Sequence, residues 1–186
     1  MTNIADNLKN ALSSVVSGVG DVISTTANVT KDTVVKTLQA GGQVTTAATS
    51  TATGIVRDGV KAVSDTGASL TDGVTGLVSG AIKGVKEVGG DVSSTTLEVA
   101  HSAVKETSAL GGDVGNVAVS AVQGAIHAAG DIGGDSGELA KSAVVGALKA
   151  ADEIGSEAGS TVRKALLNTA ALPHDIIDAL LTGKTE

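Results

Sequence analysis

Residues 80–92 read Gly-Ala-Ile-Lys-Gly-Val-Lys-Glu-Val-Gly-Gly-Asp-Val, and related versions of this segment begin 22, 44 and 66 residues later. The triplet Gly-Gly-Asp stands at 89–91, 111–113 and 133–135, and a Gly-Ser-Glu variant follows at 155–157. A weaker copy of the same register extends back towards the N-terminus. A fixed period of this length is typical of repeat proteins, in which each unit buries its apolar surface against its neighbours.

The composition excludes several classes of protein. The 186 residues include no Phe, Trp, Tyr or Cys, so an ordinary core built on aromatic rings is not available. The chain is 41% hydrophobic and only 18% charged, which is too apolar for a solvated disordered chain. The net charge of −7 argues against a nucleic-acid partner, because phosphate binding needs clustered Lys and Arg.

The residues that could support chemistry are sparse. The absence of Cys excludes thiolate metal sites, and His101, His127 and His174 are too scattered for a zinc site or a catalytic triad. The Gly-Gly-Asp triplets lack the Lys-Ser or Lys-Thr of a phosphate-binding loop. We therefore expect no enzyme activity, no cofactor and no metal.

No targeting segment is evident at the N-terminus. Residues 1–10 include Asp6 and Lys9 and lack the apolar core of a signal peptide. The longest uncharged stretches are too polar or too short to cross a bilayer. We therefore expect a cytoplasmic location by default.

The period divides into two halves of 11 residues, which predicts an all-α protein. Small or aliphatic residues recur in steps of four, three and four, as on one face of a helix. Because this 11-residue phase continues through every Gly-Gly-Asp triplet, the pattern favours a long continuous amphipathic helix. The alternatives are helical hairpins, in which Gly ends one helix and Asp caps the next, and a β-solenoid.

The glycines predict close lateral packing of such helices as a bundle or filament. Gly inside a helix costs about 1 kcal/mol relative to Ala, so a compensating contact is required. Beside the apolar stripe, bulky residues alternate with small ones about every 16 Å at the helical rise. The predicted helix-packing bulges are Ile82, Val104, Ile126 and Leu148. The predicted hollows are Gly89, Gly111, Gly115, Gly133, Gly137, Gly155 and Gly159.

Charged residues segregate to opposite sides of the predicted polar face. One row is acidic and includes Glu87, Asp131 and Glu153, whereas another is basic and includes Lys83 and Lys105. Two interpretations remain open: a solvated polar face, or lateral pairing of helices with the acidic edge of one against the basic edge of the next.

Two regions follow from the repeat. Residues 1–172 form the repeat region, and residues 173–186 form a short C-terminal helix and tail. Pro173 is expected to interrupt the helix and Asp175 to cap a final one at 176–181. This tail either folds back as a cap or docks on a partner.

The segment from Val85 to Val99 resembles the 11-residue repeats of synucleins. It contains Val-Gly-Gly at 88–90, then Val and Thr, and Ala-His-Ser-Ala-Val follows at 100–104. The chain is more loosely similar to perilipins, exchangeable apolipoproteins and late-embryogenesis proteins. This resemblance implies amphipathic helices that coat lipid surfaces or protect dried cells. The acidic row beside the apolar face and the lack of aromatic anchors depart from that pattern.

Two functional hypotheses result. The first is a structural, self-associating protein whose helices assemble with other copies into a filament, sheet or bundle. The second is an amphipathic protein that coats a membrane, lipid droplet or storage granule. The expected partner is the chain itself, with a lipid surface as the alternative.

Overall fold

The computed structural model describes residues 4–16, 21–41, 47–169, 172, 174 and 176–178. Within these residues all regular secondary structure is helical, which confirms the all-α prediction and gives no support to a β-solenoid. The helices are α1 (Ile4–Val16), α2 (Val22–Gly41), α3 (Ala48–Thr66), α4 (Leu70–Glu87), α5 (Val92–Ala109), α6 (Val114–Ile132), α7 (Ser136–Ile154) and α8 (Ser156–Leu167).

Each Gly-Gly-Asp triplet is a tight turn between two helices. The first Gly has positive φ, 77° at Gly89 and 72° at Gly111, a conformation that glycine adopts without a Cβ penalty. The second Gly donates its N–H to a carbonyl near the end of the helix, as Gly90 does to Val85 at 2.9 Å. The Asp side chain then accepts from the next helix, as Asp91 does from Ser93 N–H at 3.0 Å.

The continuous helix predicted from the unbroken 11-residue phase is therefore wrong, and the hairpin alternative is correct. The phase survives the turns because the positive-φ turn glycines, Gly67, Gly89, Gly111, Gly133 and Gly155, are each 22 residues apart. When similar units repeat, equivalent residues recur at a fixed spacing in the sequence, whether the chain continues straight or reverses direction between units. The periodicity therefore reports the repeat and not the continuity of one helix.

The helices form two layers, and helices two apart in sequence are neighbours in a layer. The most extensive contacts join α2 to α4, α5 to α7 and α4 to α6. The turns from α3 to α8 have one to four residues and make consecutive helices antiparallel, so neighbours within a layer run parallel. One layer contains α1, α3, α5 and α7, and the other contains α2, α4, α6 and α8. This arrangement is an α-solenoid.

Between the layers lies one core of small aliphatic side chains. Val74, Leu77 and Val85 of α4 are fully buried there, with many Ala and Val residues of the other helices. Because these side chains are short, the helices approach closely, and burial accumulates along the whole solenoid instead of around a few large residues.

Candidate functional site

Four of the predicted hollows are turn residues and not packing surfaces. Gly89, Gly111, Gly133 and Gly155 all have positive φ, and a Cβ built on any of them meets no atom within 4 Å. They end helices where the backbone must enter the left-handed region. The prediction that these glycines receive a neighbouring helix is therefore wrong at these four positions.

The other three predicted hollows differ among themselves. Gly115 of α6 is buried against α8, and a Cβ there would lie 3.2 Å from Thr161 Cγ2 and 3.3 Å from Ala165 Cβ. Gly137 would meet only the carboxylate of Asp135 in its own turn. Gly159 is buried beside Asp152 and Arg163 side chains. Among the three, Gly115 alone lies in an apolar contact with another helix.

Three of the four predicted bulges are core residues of the same chain. Ile82 and Val104 are fully buried and Leu148 is 4% exposed. Ile126 is only half-buried and lines one wall of a groove on the outer surface, beside α4. The bulky positions therefore pack, but they do so between the two layers of one solenoid.

The close helix contacts form at a different glycine row. Gly80, Gly124 and Gly146 occupy one position of the repeat, and each lies against the backbone of the helix two units earlier. A Cβ at Gly124 would lie 2.5 Å from the carbonyl oxygen of Thr75, and one at Gly80 or Gly146 would also overlap a carbonyl oxygen. This spacing excludes any side chain. The sequence contained a signal for this contact, because Gly80 begins the repeated segment 80–92 and Gly124 and Gly146 begin two of its copies.

Helix α4 carries the longest series of such contacts. Gly76, Gly80 and Gly84 face α2 at four-residue steps, and a Cβ at Gly76 would lie 2.6 Å from the Ile23 carbonyl oxygen. Opposite them on α2 lie Thr26 and Thr30, which are almost completely buried. Small residues at these steps let two helix backbones approach, as in other small-residue helix contacts.

Acidic and basic rows pair between helices of the same layer. Lys83 of α4 binds Asp131 of α6 at 2.9 Å, and Lys105 of α5 binds Glu153 of α7 at 2.7 Å. Other pairs that join helices of the same layer are Lys9 with Asp65, Lys31 with Glu87 and Lys61 with Glu106. The lateral pairing interpretation is thus correct, with the partner helix supplied by the same chain.

These pairs perturb the titration of their members. Hydrogen bonds from Lys105 and then His101 lower the pKa of the Glu153 carboxyl below its ordinary value. The hydrogen bond to Asp65 raises the pKa of Lys9. Both groups are solvent-exposed, so the pairs set the register of neighbouring helices and contribute little stability individually.

A groove follows α4 on the outer surface of its layer. It consists of two adjoining hollows of about 450 and 420 Å³, with Ile23 and Ile126 on its walls and Thr75 and Ser79 on its floor. Sequence reasoning missed this groove. The available signal was the short side chains of α4 at positions where the next repeat unit carries Leu97 and His101.

Apart from this groove, a separate hollow of about 550 Å³ opens between the α5–α6 and α7–α8 turns. Its lining includes the backbone of Gly111 and Gly112 and the side chains of Val114, Ile154 and Ala158. Sequence reasoning assigned these glycines to helix interiors and therefore placed no surface feature here.

Both ends of the solenoid depart from the repeat. Gly80 contacts the Ala27 carbonyl of α2 and Gly124 contacts the Thr75 carbonyl of α4, so Ala27 and Thr75 are equivalent positions. Because Asp32 follows Ala27 at the same distance as Gly80 follows Thr75, Asp32 of α2 corresponds to Gly80 of α4. Asp32 is exposed, and a further helix packed against this position would have to bury its charge.

At the opposite end the chain folds back on its own repeats. Leu172 is 5% exposed and Ile176 is 2% exposed, and both belong to the single core. The expected roles of Pro173 and Asp175 lie outside the described residues.

The described residues hold no group of three or more His, Cys, Asp or Glu side chains that could bind a metal ion. Among the described helices, none combines the length and apolar character that crossing a membrane requires. Comparison of the chain with protein-family models, with curated proteins and with solved structures finds no match.

Proposed function

We propose that this chain is a structural protein that acts as a self-contained helical platform, holding whatever binds its surface at fixed separation, and that it does not catalyse a reaction. The observation that carries the proposal is the backbone contact of Gly80, Gly124 and Gly146 with the helix two units earlier in the same chain. Contacts of this kind leave little freedom for adjacent helices to slide, which suits a rigid spacer.

The intrachain contacts weigh against an open filament or sheet. The predicted bulges and the acidic and basic rows were expected to join separate copies, but Ile82, Val104 and Leu148 are buried in the core of one chain and several of the charges pair within it. Four of the seven predicted glycine hollows are turn residues and receive no helix. The charged Asp32 at one end and the buried Leu172 and Ile176 at the other oppose stacking of solenoids end to end.

The lipid-coat hypothesis is also less favoured by this packing. The apolar faces of α3 to α7 are buried between two layers, so a lipid surface would have to compete with the core for them. Lipid binding through these faces therefore requires the solenoid to open.

Sedimentation velocity and circular dichroism, with and without phosphatidylcholine vesicles, test the proposal. A platform should be highly helical in plain buffer and sediment as one small species over a wide range of concentrations. Its radius of gyration by X-ray scattering should be about 16 Å, as expected for a compact chain of this length. Large assemblies in buffer would support the filament instead, and helix that forms only with vesicles would support the lipid coat.

A further inference from the structure

Two large apolar side chains project from one edge of the solenoid. Leu110 is 42% exposed and Ile154 is 38% exposed, and they are the exposed large hydrophobic residues of the described chain. They end α5 and α7, which are parallel neighbours in one layer, so both lie on the same side. The equivalent residues on the opposite edge, Val88 and Ile132, are partly buried against the core.

The hollow between the α5–α6 and α7–α8 turns lies on this edge, which we call the Leu110 edge. Ile154 and Val114 line its apolar part, and Gly111 and Gly155 contribute open space, because a Cβ at either meets nothing within 4 Å. The positive φ of both glycines disfavours any residue with a side chain there. The turn geometry itself therefore keeps the hollow empty of the chain's own side chains.

The charge around this hollow is acidic. Glu157 lines it, and the exposed Asp113 lies between two lining residues. The Asp113 carboxylate accepts from the backbone and side-chain N–H of Asn116, at 3.0 and 2.9 Å, and neither acid has a Lys or Arg within 4 Å among the described residues. No Lys or Arg belongs to the lining. The edge therefore combines an apolar centre with an anionic rim.

We propose that the Leu110 edge binds a cationic amphipathic helix of a partner protein. Neighbouring helices in a layer lie about 8–10 Å apart, which sets the separation of Leu110 and Ile154 along the solenoid. A helix presents apolar residues seven apart at about 10.5 Å. Two such residues would cover Leu110 and Ile154, an apolar residue midway would enter the hollow, and flanking Lys or Arg would face Asp113 and Glu157.

Charge selects this partner over two others. A second copy of the chain, related by a two-fold axis, would bring its own Asp113 and Glu157 against the same acids, and like charges in contact oppose binding. Phosphate headgroups of a membrane would meet the same repulsion. A basic helix neutralises the rim while it covers the apolar residues.

Fluorescence anisotropy with two labelled 14-residue peptides tests the proposal. Both carry Leu at the same helical spacing, one with Lys and the other with Glu at the polar positions. Two double variants are compared with the natural chain: Leu110→Gln with Ile154→Gln, and Val88→Gln with Ile132→Gln as a control of equal net charge on the opposite edge. Circular dichroism establishes that each variant is folded.

The Lys peptide should bind the natural chain at least tenfold more tightly than the Glu peptide, and more weakly as salt increases. The Leu110 and Ile154 double variant should weaken binding by about tenfold or more, since it removes the apolar contact. The control should bind like the natural chain. Equal affinity for the two peptides, equal loss in both variants, or no binding would each overturn the proposal. Dimerisation of the natural chain that the Leu110 and Ile154 double variant abolishes would assign the edge to a second copy instead.

This test is independent of the platform proposal. A chain that sediments as a single folded species yet binds neither peptide retains the platform function and loses only the proposed partner.

Discussion

Gly146 of α7 lies directly against the carbonyl oxygen of Leu97 on the parallel helix α5. A Cβ at 146 would overlap that oxygen, and it would also lie 2.9 Å from the Leu97 carbonyl carbon and 3.1 Å from the His101 nitrogen. All three atoms belong to the backbone, so no side-chain rotation can make room. The helix spacing within a layer therefore depends on the absence of a single methyl group.

We predict that Gly146→Ala destabilises the fold. Alanine favours an isolated helix by about 1 kcal/mol, but the overlap forces α5 and α7 apart and should lower the free energy of unfolding by about 1–3 kcal/mol overall. Gly54→Ala is the matched control, because Gly54 lies inside α3 with no atom within 4 Å of a built Cβ. It should raise stability by up to about 1 kcal/mol. Urea denaturation measures both free energies, and stabilisation by both variants would contradict the close contact between Gly146 and the α5 backbone.

A different outcome is expected in the turns, where space is available but the backbone conformation is restrictive. Gly111→Ala should lower the free energy of unfolding by about 1–2 kcal/mol, because φ at 111 is 72° and L-residues are strained there. Gly111→Asn should cost less, since Asn tolerates the left-handed region better than Ala. A helix-interior Gly111 would give the opposite sign for alanine. Thermal unfolding of the two variants separates these cases.

The pair Lys83 and Asp131 should couple weakly across α4 and α6. A double-mutant cycle with Lys83→Met and Asp131→Asn is expected to give about 0.2–1 kcal/mol, because Asp131 is largely exposed. The coupling should shrink in 1 M salt, where the Debye length is about 3 Å. Lys149→Met serves as a control, as Lys149 has no ion pair among the described residues. A coupling unaffected by salt would contradict an ionic origin.

The stability that Glu153 contributes to the α5–α7 contact should decrease at acidic pH. Its pKa lies below the ordinary 4.5 because Lys105 and then His101 hydrogen-bond to the charged form. A carboxyl with a lowered folded-state pKa contributes stability above its unfolded pKa and loses that contribution as the pH falls through the folded value. Lys105→Met should raise the pKa of Glu153, and carboxyl NMR titration measures it. Lys36→Met, on the distant helix α2, should leave that pKa unchanged, and an equal rise in both variants would argue against a specific pair.

Much of the local structure could be read from the residues. The rows of Ala, Val and Leu indicated helices. The separate acidic and basic rows allowed either a solvated polar face or lateral pairing, and the ion pairs of Lys83 with Asp131 and of Lys105 with Glu153 in the structure decided for pairing. The roles of the candidate packing glycines were harder to predict from the sequence. Gly89 and Gly80 lie nine residues apart in one repeat unit, and composition does not distinguish a glycine that ends a helix from one that receives a neighbouring backbone.

The sequence by itself determined the 22-residue unit, the helical state of that unit and the complementary charges along its edges, because these depend on residues close together in the chain. Only the tertiary structure decided that the chain reverses at Gly89, Gly111 and Gly133, and that each helix packs on the helix two units away in the same molecule. Equivalent repeats present equivalent surfaces to their own chain and to another copy. The positive φ of the turn glycines brings the intrachain neighbour within reach, and its contact then forms without the entropic cost of joining two molecules.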